Sequence, residues 1–247
     1  MSTIIEIQGV SKSYGGVVAN EDISLTVEKG GITGLIGPNG SGKTTLFNSV
    51  VGYHPIDAGS IKFEDEEIST FPVQKIARRG LLRTFQQTRI YGAMNGVENM
   101  LISLPHRKMK FLDAFNRNSE SDYEKADRLL EFVGLYEKRF LRAGSLSFGQ
   151  QKLLEFAMAL MNEPAALLLD EPTAGINPTL INGLIDRLIR ANQEFGITLF
   201  IIEHNMRVIM NMADKIYCLS HGQMLAQGAP DDIQNDPRVI DAYLGAH

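Results

Sequence analysis

The chain has 247 residues, 44% of them hydrophobic and 21% charged, which suits one large folded domain, or one with an insertion, and excludes collagen-like and disordered chains. Twenty-four Lys and Arg against 29 Asp and Glu leave a net charge of −5, without the cationic field a general nucleic-acid binder needs, so no nucleic-acid partner is expected. The one cysteine, Cys218, permits no internal disulfide and points to a reducing compartment.

Residues 1–6 lack the basic start and apolar core of an export signal. No apolar run approaches the roughly 18 residues that span a bilayer, so any membrane role is expected to be peripheral. Residues 4–10 and 23–27 alternate apolar and polar side chains as strands do, with a turn at Tyr14–Gly15–Gly16. The apolar run 32–36 predicts a buried strand, followed by a glycine-rich loop and a helix over 44–51. A hairpin is expected where 61–63 meets the turn residues 64–67.

From residue 87 to 159 the character changes. The stretch 104–117 is basic and irregular; Ser119–Asp122 supplies helix-start chemistry for a helix carrying Leu129, Leu130 and Val133 and ending at Gly134. A second helix follows Ser145–Gln150, with Leu153, Leu154, Phe156, Ala157 and Leu160 at helical spacing. Beyond Pro164, strands at 165–169 and 197–202 alternate with helices at 179–195 and 206–212, before a hairpin around His221–Gly222. Apolar strands separated by helices imply an α/β fold with a mostly parallel sheet covered on both faces.

Gly37-Pro38-Asn39-Gly40-Ser41-Gly42-Lys43-Thr44 fits the phosphate-loop pattern G-x-x-x-x-G-K-[ST] in its strand–helix context. Glycines allow the curvature that turns backbone N–H groups onto a polyphosphate, and the following helix adds its positive end. Lys43 is expected to reach the β- and γ-phosphates, and Thr44 to ligate Mg²⁺, with Thr45 beside it. The apolar run ending in Asp170-Glu171 supplies the other half: Asp170 for the metal, Glu171 as general base.

With these residues in place, the chain resembles the ATP-binding-cassette (ABC) ATPases over nearly its whole length, with Leu146-Ser147-Phe148-Gly149-Gln150 similar to that family's signature. The resemblance implies a P-loop NTPase (RecA-like) fold: a mostly parallel sheet, an N-terminal antiparallel β subdomain and a helical insertion. One domain, 1–247, would comprise a core of 1–86 plus 160–247 and a helical subdomain, 87–159. It also implies that Ser147, Gly149 and Gln150 bind the γ-phosphate of an ATP held by a second cassette, identical or paralogous, in a head-to-tail dimer. Gln86, with Gln87 the adjacent alternative, resembles the glutamine that senses Mg²⁺ and the attacking water. His204 resembles the switch histidine at the γ-phosphate, and Tyr14 the aromatic that stacks on adenine, a plain turn tyrosine being its other reading. Asn177 stands where the family carries Asp, and Asn205 where this subgroup carries Asp.

The stretches 80–86, 147–152, 172–178 and the tail 237–245 together resemble the ATP-binding subunit of branched-chain amino-acid importers, and the longer insertion between Gln86 and Ser145 resembles that of the larger of its two cassette subunits. That likeness implies transmembrane permease subunits, an indirect solute-binding protein and a peripheral place on the cytoplasmic face of the inner membrane. Lipopolysaccharide-export ATPases and non-transport scaffold ATPases are the alternatives. Ile90, Tyr91, Met94 and Met100 would line the permease groove or pack a core. Met206, Met210 and Met212 are expected in the core, Cys218 as a buried small hydrophobe, and 107–110 as a solvated loop or a stretch near anionic lipid.

Overall fold

Ile5, Ile7 and Val10 on β1 (Thr3–Tyr14) and Ile23, Leu25 and Val27 on β2 (Val17–Glu28) are buried, with polar residues interleaved. This period-two burial is what a sheet with one covered face demands. The strands run longer than the apolar alternation predicts, because register shifts near Val10 and Lys12 let pairing continue to Tyr14↔Val17. β4 (Ala58–Phe63) pairs with the other side of β1, and β5 (Glu66–Glu67) closes an antiparallel sheet ordered β2-β1-β4-β5. The β4–β5 turn holds Glu64 and Asp65 at φ 48° and 63°, the two left-handed positions of a primed hairpin turn.

The computed structural model describes residues 2–84, 90–104 and 119–244. Phe85, Gln86, Gln87 and the basic segment 107–110 lie outside the described residues. The chain divides into two compact units: Met1–Arg83 with Ala165–Pro172 and Leu188–His247, and Thr84–Pro164 with Thr173–Arg187.

Both sheets belong to the first unit. The second sheet comprises β3 (Ile32–Ile36), β6 (Leu81–Arg83), β7 (Ala166–Asp170), β8 (Thr198–Ile202), β9 (Lys215–Ser220) and β10 (Gln223–Gly228), in the order β10-β9-β3-β8-β7-β6. All neighbours except β9–β10 are parallel. β3, β7 and β8 are buried along their full length, as two-side-covered parallel strands must be. Parallel strands finish at one edge, so the chain leaving Ile36, Arg83, Asp170 and Ile202 emerges on one side of the sheet, where ligands of such folds bind.

Helices α1 (Lys43–Val50), α2 (Val73–Ala77), α7 (Met206–Met210), α8 (Pro230–Gln234) and α9 (Pro237–Leu244) complete this unit, with the last part of α6 (Pro178–Phe195). Phe47 of α1 meets Phe200 of β8 at 4.7 Å between centroids, in a core with Leu46, Val50, Ile76, Leu81, Leu168 and Ile202. Each such side chain contributes about 1.5–3 kcal/mol by leaving water. Buried Tyr217 ties β9 to β2: its hydroxyl donates to Thr26 O at 2.9 Å and accepts from Thr26 N at 3.1 Å.

The second unit contains α3 (Gly96–Ile102), α4 (Glu120–Phe132), α5 (Phe148–Leu160) and residues 178–187 of α6. Capping boxes begin α3, α4 and α5, formed by Asn95/Glu98, Ser119/Asp122 and Ser147/Gln150, each satisfying two N–H groups that a helix start leaves orphaned. At the end of α4, Gly134 takes φ 76°, and the Arg187 Nε–H donates to Val133 O at 2.9 Å. Met100 is fully buried, which makes it core, whereas Tyr91 is exposed. Residues 173–187 group with these helices, although they lie outside the 87–159 stretch whose composition marks the insertion.

Candidate functional site

The loop after β3 is shaped by close packing. Gly37 sits at φ 146°, where a Cβ would lie 2.2 Å from Leu219 O; Gly42, at φ 96°, would meet Ala19 O at 2.3 Å. Only glycine satisfies both the backbone sign and the space. Asn20, fully buried, donates to Gly42 O at 3.1 Å, and the Gly222 N–H of the β9–β10 turn donates to Ser41 O at 3.3 Å. Asn39 and Gly40 are exposed, Pro38 is half-buried and Ser41 is buried.

Lys43 is 7% exposed. Its Nζ donates to Gly37 O at 2.8 Å, to Pro38 O at 2.9 Å and to Ser41 Oγ at 3.4 Å. Burial holds its pKa below the ordinary 10.5, while Glu171, Asp170 and Cys218 pull upward. The ammonium is thus held inside the loop by carbonyls that a phosphate oxygen could replace. Thr44 is exposed and Thr45 half-buried on the first turn of α1.

Asp170, at the end of β7, is 3% exposed, and the Arg83 Nη2–H donates to its Oδ2 at 2.6 Å. Arg83 also bonds the Asn48 side chain of α1. Neither Arg83 nor Asn48 was expected at the site; the one sequence cue was the position of Arg83 three residues before Gln86. The next residue, Glu171, stands at φ 49°, with its N–H donating to Ile202 O at 2.9 Å. A non-glycine residue in this region is strained, and such strain gathers at working sites. Glu171 Oε2 lies 3.7 Å from Nδ1 of His204, which is exposed. Beside His204, Glu203 is fully buried and its Oε2 accepts from the Asn205 N–H at 3.3 Å. The sequence drew attention only to its neighbour.

Among the described residues no three His, Cys, Asp or Glu side chains cluster as a metal cage. An exposed threonine hydroxyl and one carboxylate are all-oxygen donors, a set that fits Mg²⁺, which keeps waters and shares phosphate oxygens rather than filling a protein cage.

Tyr14 ends β1 half-exposed, its Oη 3.0 and 2.9 Å from Nδ1 and Nε2 of His54, the rings edge-to-face at 5.5 Å. Burial, then Lys12 and Arg83, lower the His54 pKa, which favours the neutral ring. Asp57 accepts from Lys12 Nζ at 2.8 Å and from the Ser13 N–H at 2.6 Å, and the Lys12 hydrogen bond holds its carboxyl below the usual range. These contacts anchor the strand end that presents the tyrosine ring.

In the helical unit, Ser147 is the N-cap of α5. Gln150 N–H donates to Ser147 Oγ at 3.4 Å, and Ser147 N–H to Gln150 Oε1 at 3.1 Å. This leaves the Phe148 and Gly149 amides, in the first turn, without intrahelical acceptors. A Cβ on Gly149 would meet Leu180 Cδ1 at 3.2 Å, so the glycine lets α6 approach. Asn177 Oδ1 accepts from the N–H and hydroxyl of Thr179 at 3.1 and 3.0 Å. The uncharged amide thus serves at the start of α6 as a carboxylate would.

A family model described as "ABC transporter" matches residues 20–174, from β2 through the loop, α5 and β7. The chain belongs to the ABC transporter family. A second model, "Branched-chain amino acid ATP-binding cassette transporter", matches residues 223–247 of this cassette. It is 39% identical to the high-affinity branched-chain amino acid transport ATP-binding protein BraF of Pseudomonas aeruginosa, over 98% of each chain. It is 38% identical to the probable branched-chain amino acid transport ATP-binding protein LivG of Archaeoglobus fulgidus, over 98% of this chain and 96% of that one. A solved ATP-binding cassette of an ABC transporter in its ADP conformation superposes with a TM-score of 0.90 at 33% identity, covering 99% of this chain and 100% of its own. A nucleotide-free cassette gives 0.87 at 33%, covering 98% and 99%.

The fold is therefore that of an ABC ATPase. The cassette is an ATP-binding, ATP-hydrolysing subunit of a transporter. Within the first unit its strand ends bring together Lys43, Asp170, Glu171 and His204. Gln86 lies outside the described residues. Among the described residues no helix is long and apolar enough to cross a membrane.

Proposed function

We propose that this cassette powers import of branched-chain amino acids, working as one half of a head-to-tail dimer docked on permease subunits at the cytoplasmic face of the membrane. The observation that carries the proposal is the meeting of Lys43, Asp170, Glu171 and His204 at the carboxyl ends of β3, β7 and β8, in a chain whose full-length relatives are named for that cargo.

The triphosphate lies along residues 37–44, and Lys43 exchanges the carbonyls of Gly37 and Pro38 for the β- and γ-phosphates. Tyr14 carries the adenine on its exposed face. Mg²⁺, when bound, neutralises charge on the β- and γ-phosphates, and Thr44, Asp170 and Gln86 would hold it. Glu171 takes the proton of the attacking water on its carboxylate, and His204, beside that carboxylate, orients on the γ-phosphate. The Ser147 hydroxyl and the open Phe148 and Gly149 amides of the second cassette face the same phosphate, with Gln150 holding the helix start in shape. ATP thereby joins two cassettes, and hydrolysis parts them. Exposed Tyr91 is a contact for the permease; buried Met100 is not.

The test is Glu171→Gln in the full chain. Phosphate release should fall by about 10²–10⁴-fold, the span of a lost general base, while ATP converts monomer to dimer by light scattering. Turnover near that of the parent, or a monomer at saturating ATP, would contradict the mechanism. For the cargo, the cassette purified with its permease should be stimulated by leucine-loaded solute-binding protein; stimulation by a urea-loaded one alone would reassign it.

A further inference from the structure

Tyr243 lies on α9, outside every motif that points to nucleotide chemistry, yet its Oη accepts the Gly37 N–H at 2.8 Å. Gly37 is the first loop residue, and its carbonyl is the 2.8 Å acceptor of Lys43. Its Cα has no room to move toward β9, since even a Cβ there would stand 2.2 Å from Leu219 O. Gly37 is therefore held at its N–H by the tail, at its carbonyl by the lysine, and at its Cα by the sheet.

The three restraints behave differently when nucleotide arrives. Under the proposed function, on which this inference rests, Lys43 leaves the Gly37 carbonyl for phosphate. The tyrosine contact then stays as a polar restraint on that glycine. It also removes the Gly37 N–H from the set of amides available to the anion, so the anion-facing arc begins beyond it. Tyr243 lines an open groove of about 530 Å³ with Met206, Met210, Ile233, Val239 and Ile240. Met206 and Met210 thus line a groove rather than a closed core, while Met212 is buried.

We infer that Tyr243 is a positioning residue for ATP, a tail-borne latch that fixes the first glycine of the phosphate loop while Lys43 changes partners. The tyrosine falls within residues 223–247, the stretch matched by the branched-chain model, and outside 20–174, the stretch matched by the general family model. The latch is thus a device of the tail, added to a loop whose residues lie within the general family's match. Burial pushes the phenol pKa up to about 12, so the hydroxyl stays protonated across the working range.

The experiment is Tyr243→Phe in the full chain, read by titration with a fluorescent ATP analogue, by phosphate release and by amide hydrogen exchange. Without the hydroxyl the first glycine is no longer ordered before nucleotide arrives, so that ordering falls on the binding step; nucleotide affinity should weaken, and KM rise, by up to about fivefold. kcat should stay within about twofold, since Glu171 and His204 are untouched. The Gly37 amide should exchange faster, while Leu35 and Ile201 keep their protection. Val239→Ala trims the packing of α9 and spares the hydroxyl; it should lower the melting temperature without changing KM.

Unchanged affinity in Tyr243→Phe, or an equal KM rise in Val239→Ala, would overturn the latch. Lys43→Ala separates this from failure of the site itself: full ATP affinity there would remove the phosphate-loop reading, whereas lost affinity with a silent Tyr243→Phe would remove the latch alone.

Discussion

Lys43 is 7% exposed and tied to two loop carbonyls, whereas Ser147 stands exposed at the start of α5 and is tied to Gln150, three residues away. Both are proposed to turn backbone amides onto a phosphate, but they are built on opposite terms. The loop takes its shape from distant parts of its own unit: Ala19 and Asn20 of β2, Leu219 of β9, Gly222 of the last hairpin and Tyr243 of α9. The helix start is complete within four residues. A site shaped by the fold is preorganised, and disturbing it damages folding and binding together. A site shaped by a local cap can lose its chemistry and keep its fold.

Arg83→Met should mark the contrast most strongly. It leaves the buried Asp170 carboxylate without its guanidinium, and breaking a buried pair costs about 3–5 kcal/mol. Chemical denaturation should register that loss, with added Mg²⁺ and ATP restoring part of it by mass action. A variant as stable as the parent would show that the pair contributes nothing to the fold.

Ser147→Ala is the matched change in the other region. Loss of the cap should cost about 1 kcal/mol and leave ATP affinity of the monomer unaltered, while turnover of the assembled dimer drops. Weaker ATP binding by the monomer would place Ser147 in its own chain's site and remove the contrast between the loop and the helix start.

The smallest effect concerns Cys218, buried on β9 next to the loop. Burial raises its thiol pKa from 9.0 to about 11, with Lys43 opposing. The folded state therefore binds the proton more tightly than the unfolded one. This stabilisation is complete below pH 9 and is lost as pH rises through about 11. Thermal melts should show an alkaline decline that Cys218→Ala makes shallower, and the parent thiol should resist maleimide at neutral pH. An unchanged slope would assign the decline to other groups.

Local patterns in the sequence carried much of the fold. The strand at 32–36, the start of α4 at Ser119 and its end at Gly134, and the hairpin at His221–Gly222 were legible because each depends on neighbours in the chain. The three-residue β6 was not, since so short a run has no periodicity of its own and is a strand only because β7 pairs with it. Short helices such as α3 and α8 escaped for the same reason. Met206 and Met210 carried an apolar pattern that fits a closed core and an open groove equally well.

By itself, then, the sequence determined the loop 37–44, the acidic pair after a buried strand and the capped start of α5, because their chemistry is written in consecutive residues. Only the tertiary structure decided that Arg83 meets Asp170, 87 residues away, and that Tyr243 meets Gly37 across 206. The physical reason is that such contacts are fixed by strand order and helix packing, which bring together side chains that no spacing along the chain relates.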